Sequence, residues 1–386
     1  MVEWKKLGDL FETRNGYTPS TKEDSFWVGG NVPWFKMDDI RDNGSVLDDS
    51  KLHITEKAIK GKGLFKANSI ILATSATIGE HALITVDHLC NQRFTNISPK
   101  KCYESIVNMR FVYYYMFLVD EWCKQHTHQG GFASVDMDGL YKLPIPIPSL
   151  SEQTRIVGIL DTFTASIDNL KEQIAQRRKQ FEYYRDQLLD LEGKERDIVS
   201  WGDVCDMIKG NGVQKIDFVE EGKGCIHYGQ IYTHYGSYTY STNKYVSDEV
   251  FEKAKKASMG DLIMTDTSEN VEDICKTVAY LGEEDIAVSN HALIIKHKQN
   301  PKFLSFSTQT NSFLNQKRKV VVGVKVSGIK PEHLGQIKIY LPSLEKQSRI
   351  VSILDTFEAS IQNLEAQLKE REKQYEYYRN KLLTFE

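Results

Sequence analysis

PSLSEQTRIVGILDTFTASIDNLKEQIAQRRKQFEYYRDQLL, residues 148–189, is written a second time as PSLEKQSRIVSILDTFEASIQNLEAQLKEREKQYEYYRNKLL, residues 342–383. Roughly two-thirds of the positions match without a gap, and self-similarity of this kind marks a duplicated unit. In the first copy Ile156, Leu160, Phe163, Ile167, Leu170, Ile174, Arg177, Phe181, Tyr184 and Leu188 follow one another at steps of four and three. The second copy keeps the rhythm through Ile350, Leu354, Phe357, Ile361, Leu364, Leu368, Arg371, Tyr375, Tyr378 and Leu382. Such steps average about 3.5 residues, which holds one apolar seam against a partner helix and specifies a coiled coil. Each copy is therefore expected to be one helix of about 40 residues, a rod of roughly 60 Å at 1.5 Å per residue. Ser151, just after Pro148, is the expected N-cap of the first rod. Arg177 and Arg371 interrupt the seam; each either lays its stem on the seam with its head in water or fixes the register of the two helices.

Outward from the rods, the chain divides into residues 1–148, a first globular segment; 149–192, the central helical region; 193–342, a second globular segment; and 343–386, the C-terminal helical region. In the first segment a turn is expected at Asn15-Gly16. The apolar run 69–74 reads as a strand, with neighbours at 81–86 and 94–97. Residues 106–122 read as a buried helix with Phe111, Tyr114, Tyr115 and Leu118 inward, followed by Gly130-Gly131 and an extended proline-rich passage, 143–148, into the rod. The second segment echoes these anchors: Gly202-Asp203 matches Gly8-Asp9, Gly210 matches Gly16, and 261–265 matches 69–74. Between the anchors the two share little. Matching frames around unlike interiors fit a duplicated scaffold with two recognition surfaces better than two catalytic sites, which would repeat their reactive residues. If each globule's entry and exit are adjacent, the rods run antiparallel, with internal pseudo-twofold symmetry and a globule at each end. The fold class is thus α+β: two similar mixed-sheet domains separated by two long helices.

Composition narrows the function classes. No apolar run is long enough to span a bilayer and the N-terminus is no signal peptide, so a cytoplasmic protein without membrane contact is expected. The six cysteines lack CxxC or zinc-ligand spacing and read as reduced thiols. His126 and His128 have no supporting ligand cluster, so no metal site is expected. The net charge of −4 means that any grip on phosphates must be local, with Lys253, Lys255 and Lys256, the run Lys317-Arg318-Lys319, and Lys57, Lys60, Lys62 and Lys66 as candidate patches. A GxxxxGK[ST] phosphate loop is absent, as is an Asn-Pro-Pro-Tyr-like tetrapeptide for holding a flipped base, which argues against a motor or an adenine methylase.

The passages 145–157 with Leu160-Asp161 and 339–351 with Leu354-Asp355, together with Leu7-Gly8-Asp9, resemble the specificity subunit of type I restriction-modification systems. The resemblance covers the whole chain. It departs at Lys346, where the usual pattern has glutamate, and in the acidic net charge. It implies a noncatalytic subunit with two target-recognition domains, each reading half of a split double-stranded DNA site, and helices that act as a ruler. It also implies two docked modification (methyltransferase) subunits and restriction (translocase-nuclease) subunits. S-adenosylmethionine, ATP and magnesium would belong to those partners, and none to this chain.

DNA contacts are expected on loops after strands, from side chains able to hydrogen-bond base edges. In the first domain these are Lys36, Arg41, Thr74, Ser75, Thr77, Asn91, Gln92 and Arg93. In the second they are His227, Tyr228, Gln230, Tyr232, His234, Thr267, Ser268, Asn290 and His291. Two alternatives remain open from the residues alone: the recognition subunit of a type II-like methylase-nuclease, and a coiled-coil adaptor that binds no DNA.

Overall fold

The computed structural model describes residues 2–128, 133–321 and 327–385; the Gly130-Gly131 pair lies outside them. It divides into two units, residues 1–170 with 367–386 and residues 171–366. The two rods are the helices Leu150–Leu189 and Leu344–Leu383, each uninterrupted and each giving one half to either unit. Their N-caps are Ser149 and Ser343, whose hydroxyls accept the N–H of Glu152 at 3.3 Å and of Lys346 at 3.4 Å. Ser151, the expected cap, lies inside the first turn, because the helix already begins at Leu150, just after Pro148 and Ser149.

In the first unit, the strand Glu3–Lys6 runs antiparallel to Pro144–Ile147, so entry and exit lie side by side. A mixed sheet follows in the order Phe11–Asn15, Phe94–Pro99, Ser69–Ala73, His81–Ile84, Val46–Leu47. A smaller sheet orders His53–Ile54, Val32–Phe35 and Leu89–Cys90. The strand Ser69–Ala73 is apolar from Ile70 onward because both its faces are covered. Ile70 and Leu72 join the core under the helix Met109–Gln125, while Ile71 and Ala73 join the core shared with Phe35 and Phe94 of the smaller-sheet side. That helix begins at Met109, three residues later than the sequence suggests, because Asn108 caps it through the N–H groups of Arg110 and Phe111.

The second unit repeats this plan. Ile198–Ser200 pairs antiparallel with Lys338–Tyr340. The large sheet orders Cys205–Lys209, Ala292–His297, Leu262–Thr265, Thr277–Tyr280 and Tyr238–Thr239, matching the first unit strand for strand. In both, only the edge pair is parallel. The unlike interiors read from sequence thus share the order of the large sheet, while the smaller sheet differs, with three strands in the first unit and five in the second. Asn15-Gly16 is not a turn. There the chain leaves one sheet for the other, and a Cβ on Gly16 would lie 2.3 Å from the carbonyl oxygens of both Cys90 and Asn91; at Gly210 it would lie 2.4 Å from that of Ser289. The anchor glycines recur because two backbones cross there.

The seam was expected from period alone, and the two units show what it touches. In the first, Ile156 and Leu160 from the start of one rod are buried with Leu383 from the end of the other, so the two run antiparallel. Ile167 is buried, while Leu170, Leu368, Tyr375 and Leu382 are partly buried. Phe163 stacks on Tyr378 at 5.4 Å. In the second unit Ile350 and Leu354 bury against Phe181, with Leu188 packed alongside; Ile174 is buried and Ile361 and Leu364 are partly buried. Phe357 stacks on Tyr184 at 5.3 Å. Tyr184 and Tyr378 are 45 % and 42 % exposed, at the rim of the seam. The Arg371 guanidinium lies over Phe163 and that of Arg177 over Phe357, each on the opposite helix.

Two further repeated residues clasp each globule to its rod. Gln153, wholly buried, accepts the Asn108 N–H at 2.8 Å and donates to the carbonyls of Ile106 and Pro148. Gln347 accepts the Asn300 N–H at 3.0 Å and donates to Gln299 Oε1 and the Pro342 carbonyl. Asp161 receives Arg110 at 2.8 Å and the Tyr114 hydroxyl, and Asp355 receives Lys302 at 2.9 Å. Among the described residues no helix is long and apolar enough to cross a membrane, and all six cysteines are free, only Cys102 being exposed.

Candidate nucleic-acid interface

One end of the large sheet in each unit carries a cradle built from the same backbone hydrogen bonds. The Thr74 N–H donates to the Arg93 carbonyl at 3.0 Å, and the Asp266 N–H to the His291 carbonyl at 3.2 Å. Asn91 donates to Phe35 at 3.0 Å, and Ser289 to Ile226 at 3.1 Å. Val135 donates to Thr74 at 2.9 Å, and Ile329 to Asp266 at 3.0 Å. A short helix opens at each cradle, where the Lys36 N–H meets Asp39 Oδ2 at 2.8 Å and the His227 N–H meets Gln230 Oε1 at 2.7 Å. These bonds place Lys36 with His227, Thr74 with Asp266 and Arg93 with His291 as equivalent positions. These backbone hydrogen bonds are kept while the side chains change.

In the first unit Lys36, Thr74, Ser75, Asn91, Gln92 and Arg93 come together in this cradle. Thr74 and Thr95 share a hydroxyl hydrogen bond at 3.0 Å, and Thr95 donates to Asn15 Oδ1 at 2.8 Å. Ser75 bridges to Ser134. Asn91 Oδ1 accepts the Arg93 N–H, and Gln92 Oε1 accepts the Thr18 hydroxyl. Lys36 is paired with Asp38 at 2.8 Å, and Arg41 with Glu80 at 2.9 Å at the margin. The Arg93 side chain is exposed and has no partner among the described residues. The Thr77 hydroxyl is not offered at the surface: its oxygen is buried and has no hydrogen-bond partner among the described residues.

In the second unit Tyr228, Tyr232, Thr267, Ser268, Asn290 and His291 come together. The Tyr228 ring meets His291 edge-on at 5.3 Å and Tyr232 at 6.2 Å. The Tyr232 hydroxyl donates to the Thr267 carbonyl, and Thr267–Ser268 pairs with Ser327–Gly328. Asn290 Oδ1 accepts the Gly212 N–H at 3.1 Å. His227 and Gln230 are buried and cap the short helix Tyr228–Thr233, His227 Nδ1 accepting the Gly229 N–H at 3.1 Å. Burial also holds the His227 imidazole below its ordinary pKa, favouring the neutral acceptor. As placed, both serve the helix start. His234 packs on Tyr235 and has no bond to the cluster.

Four cradle residues were not among the expected contacts: Asn15 and Thr95 in the first unit, and Lys209 and Asp266 in the second. Lys209 pairs with Asp266 at 3.1 Å, where the first unit has Asn15 and Thr74. Carrying Asn15 forward by the repeat offset would have found Lys209. Two of the candidate basic patches are partly neutralised or buried: Lys253 pairs with Glu249, Lys256 with Glu252 and Arg318 with Glu272, and Lys317 is buried; in the third, Lys57, Lys60 and Lys62 are exposed and Lys66 pairs with Asp87 at 3.4 Å. His126 lies flat on Trp122 at 4.2 Å, and His128 approaches Asp136 at 3.7 Å. Among the described residues, no group of three or more His, Cys, Asp or Glu is placed to hold a metal.

Comparison with known proteins agrees with this duplicated plan. The family model described as type I restriction modification DNA specificity domain matches residues 1–177 and again 194–372. The EcoprrI type I restriction enzyme specificity subunit of Escherichia coli is 36 % identical over 376 residues, 92 % of this chain and 88 % of that protein. A putative type I specificity subunit of Haemophilus influenzae, S.HindORF215P, is 27 % identical over 403 residues, 100 % of this chain and 96 % of the relative. A chain solved in work on complex assembly and conformational transition of the type I R-M system shares the fold, with TM-score 0.63 at 17 % identity, covering 99 % of this chain and 96 % of that one. The S subunit from M. genitalium gives TM-score 0.57 at 14 % identity, with 100 % and 97 % covered. With both halves matched by one family model and nearly the whole chain aligned to a specificity subunit, the protein belongs to the type I restriction-modification DNA specificity family, as a noncatalytic, DNA-recognising subunit.

Proposed function

We propose that each cradle reads one half of a bipartite, asymmetric duplex site, and that the paired rods fix the unread spacer and carry two modification subunits. The observation that supports this is the constant backbone with changed side chains at equal positions: Lys36 against His227, Asn15 against Lys209, Thr74 against Asp266, Arg93 against His291. Different donors and acceptors on one scaffold read different base edges. The first cradle offers an unpaired guanidinium at Arg93, a residue type suited to the guanine edge, beside hydroxyl and amide groups. The second offers aromatic rings, hydroxyls and a lysine-aspartate pair. The recognition domains are taken as residues 1–148 and 193–342, and the helical regions as 149–192 and 343–386.

For docking, the repeated tyrosines on the rods offer a surface in each unit. Tyr183 and Tyr377 are 61 % and 59 % exposed, each edge-on to its neighbour at 5.3 Å. Exposed aromatics of this kind are enriched where proteins meet. Restriction subunits join this assembly, and S-adenosylmethionine, ATP and magnesium act in the partners; the complex works in the cytoplasm.

Mapping methylated adenines in cells that express this chain with its modification subunit tests the proposal. A split motif with a fixed unread gap is expected. A continuous motif, or methylation without sequence preference, contradicts it.

A further inference from the structure

Lys317 lies in the helix Asn311–Val320 and is 1 % exposed. Its Nζ donates to the carbonyl oxygens of Glu272 and Ile274, both at 2.9 Å. No carboxylate pairs with this ammonium among the described residues; the Glu272 carboxylate is instead held by Arg318, with Nη2 at 3.0 and 3.1 Å. Burial pushes the Lys317 pKa down. A buried cation without a counter-charge costs free energy that its hydrogen bonds must offset, so its place in the fold calls for a reason.

The first unit shows what the cation replaces. Counted back by the 194-residue offset of the rods, the position is that of the buried Cys123. The difference goes with the length of the loop that follows the central strand. In the first unit residues 74–80 join Ser69–Ala73 to His81–Ile84, whereas in the second unit residues 266–276 join Leu262–Thr265 to Thr277–Tyr280. The short loop closes at Gly79 against the stem of Lys124, which lies 2.7 Å from where a Cβ would stand. The long loop turns the carbonyls of Glu272 and Ile274 inward, and only a long donor can reach them there. That loop begins with Asp266, Thr267 and Ser268 in the cradle.

We propose that Lys317 is a positioning residue for base discrimination by the second unit: its ammonium pins the far limb of the 266–276 loop and so fixes where Thr267 and Ser268 stand. The proposal rests on the reading of that cradle as a DNA interface. The Lys317→Met variant keeps the length of the side chain and removes the donors. In the complex with its modification subunits, hydrogen exchange of residues 269–276 and binding to cognate and single-base-variant duplexes are measured together. Faster exchange confined to the loop is expected, with discrimination in the second unit's half-site falling about tenfold or more, as loss of a well-placed base contact would give, and the other half-site unaffected. Unchanged exchange would overturn the anchoring role. Faster exchange with discrimination intact would overturn this loop as a reader, even if a split motif still holds. Should Lys317→Met unfold the unit, Arg318→Ala tests the anchoring of the same loop limb from the surface, because it removes the pair with Glu272 and the bond to Asn315 Oδ1 and leaves the buried ammonium in place; the same two measurements then decide, with a smaller loss expected in the same half-site.

Discussion

Single residues in this chain divide into those that hold backbones together and those free to vary. Gly16 is of the first kind. Gly16→Ala would press a methyl group into two carbonyl oxygens at 2.3 Å, and an overpacked contact of this sort costs about 1–3 kcal/mol. Gly158, inside the first rod in its third turn, has nothing within 4 Å of its Cβ position, so Gly158→Ala should stabilise by about 0.5–1 kcal/mol through helix propensity. Urea titration of the two variants should show shifts of opposite sign. Glu358 gives a pH-dependent case. Its carboxyl is pushed up by burial, with Ser237 donating to Oε1 at 2.8 Å while Oε2 is buried without a hydrogen-bond partner among the described residues; Asp355 raises it further and Lys302 opposes. A carboxyl raised in the folded state favours folding at low pH, and that contribution is lost as pH rises from the ordinary glutamate range through the elevated value. Glu358→Gln should therefore melt higher than the parent near neutral pH and equal it at pH values below the ordinary glutamate range. A gain of the same size at both ends of the pH range would contradict the assignment. At this scale sequence revealed identity but not orientation. Thr77, His227 and Gln230 were named as readers for their donors and acceptors, yet one hydroxyl is buried and the other two side chains cap a helix, which depends on backbone geometry that no spacing encodes.

At the scale of elements, legibility followed periodicity. The rods announced themselves because a 3.5-residue rhythm persists through about 40 residues, and their starts lie just after Pro148-Ser149 and Pro342-Ser343, although the cap is Ser149 and not Ser151. Strands of two to six residues with partners far along the chain leave no such trace, so the shared sheet order of the two units was not foreseen although its anchor glycines were. The rods' repeat of Gln153 and Asp161 at Gln347 and Asp355 was visible; that these clasp the caps and first turns of the helices Met109–Gln125 and Pro301–Ser307 was not, because contacts across 45 to 53 residues require the fold. If the rods are a ruler, inserting seven residues at matched seam positions in both should lengthen the unread spacer while preserving the seam. An insertion of two residues in each should instead break the 3.5-residue register and destabilise the pair. Methylation mapping of the first and thermal melting of the second check both outcomes; an unchanged spacer would remove the ruler role.

For the molecule as a whole, duplication is the organising fact. One family model matches twice, the sheet order repeats, and each globule enters and leaves through neighbouring strands, Glu3–Lys6 with Pro144–Ile147 and Ile198–Ser200 with Lys338–Tyr340. A domain tied in this way can be exchanged at its ends with little disturbance to the rods, which keep their own seam and clasp. The most direct measurement is therefore to replace residues 199–341 with the matching region of another specificity subunit, retaining Lys302 and Asn300 for the clasp, and to map the methylated sequence. One half of the motif should change, with the other half and the spacer intact; a change in both halves, or in neither, would contradict the account.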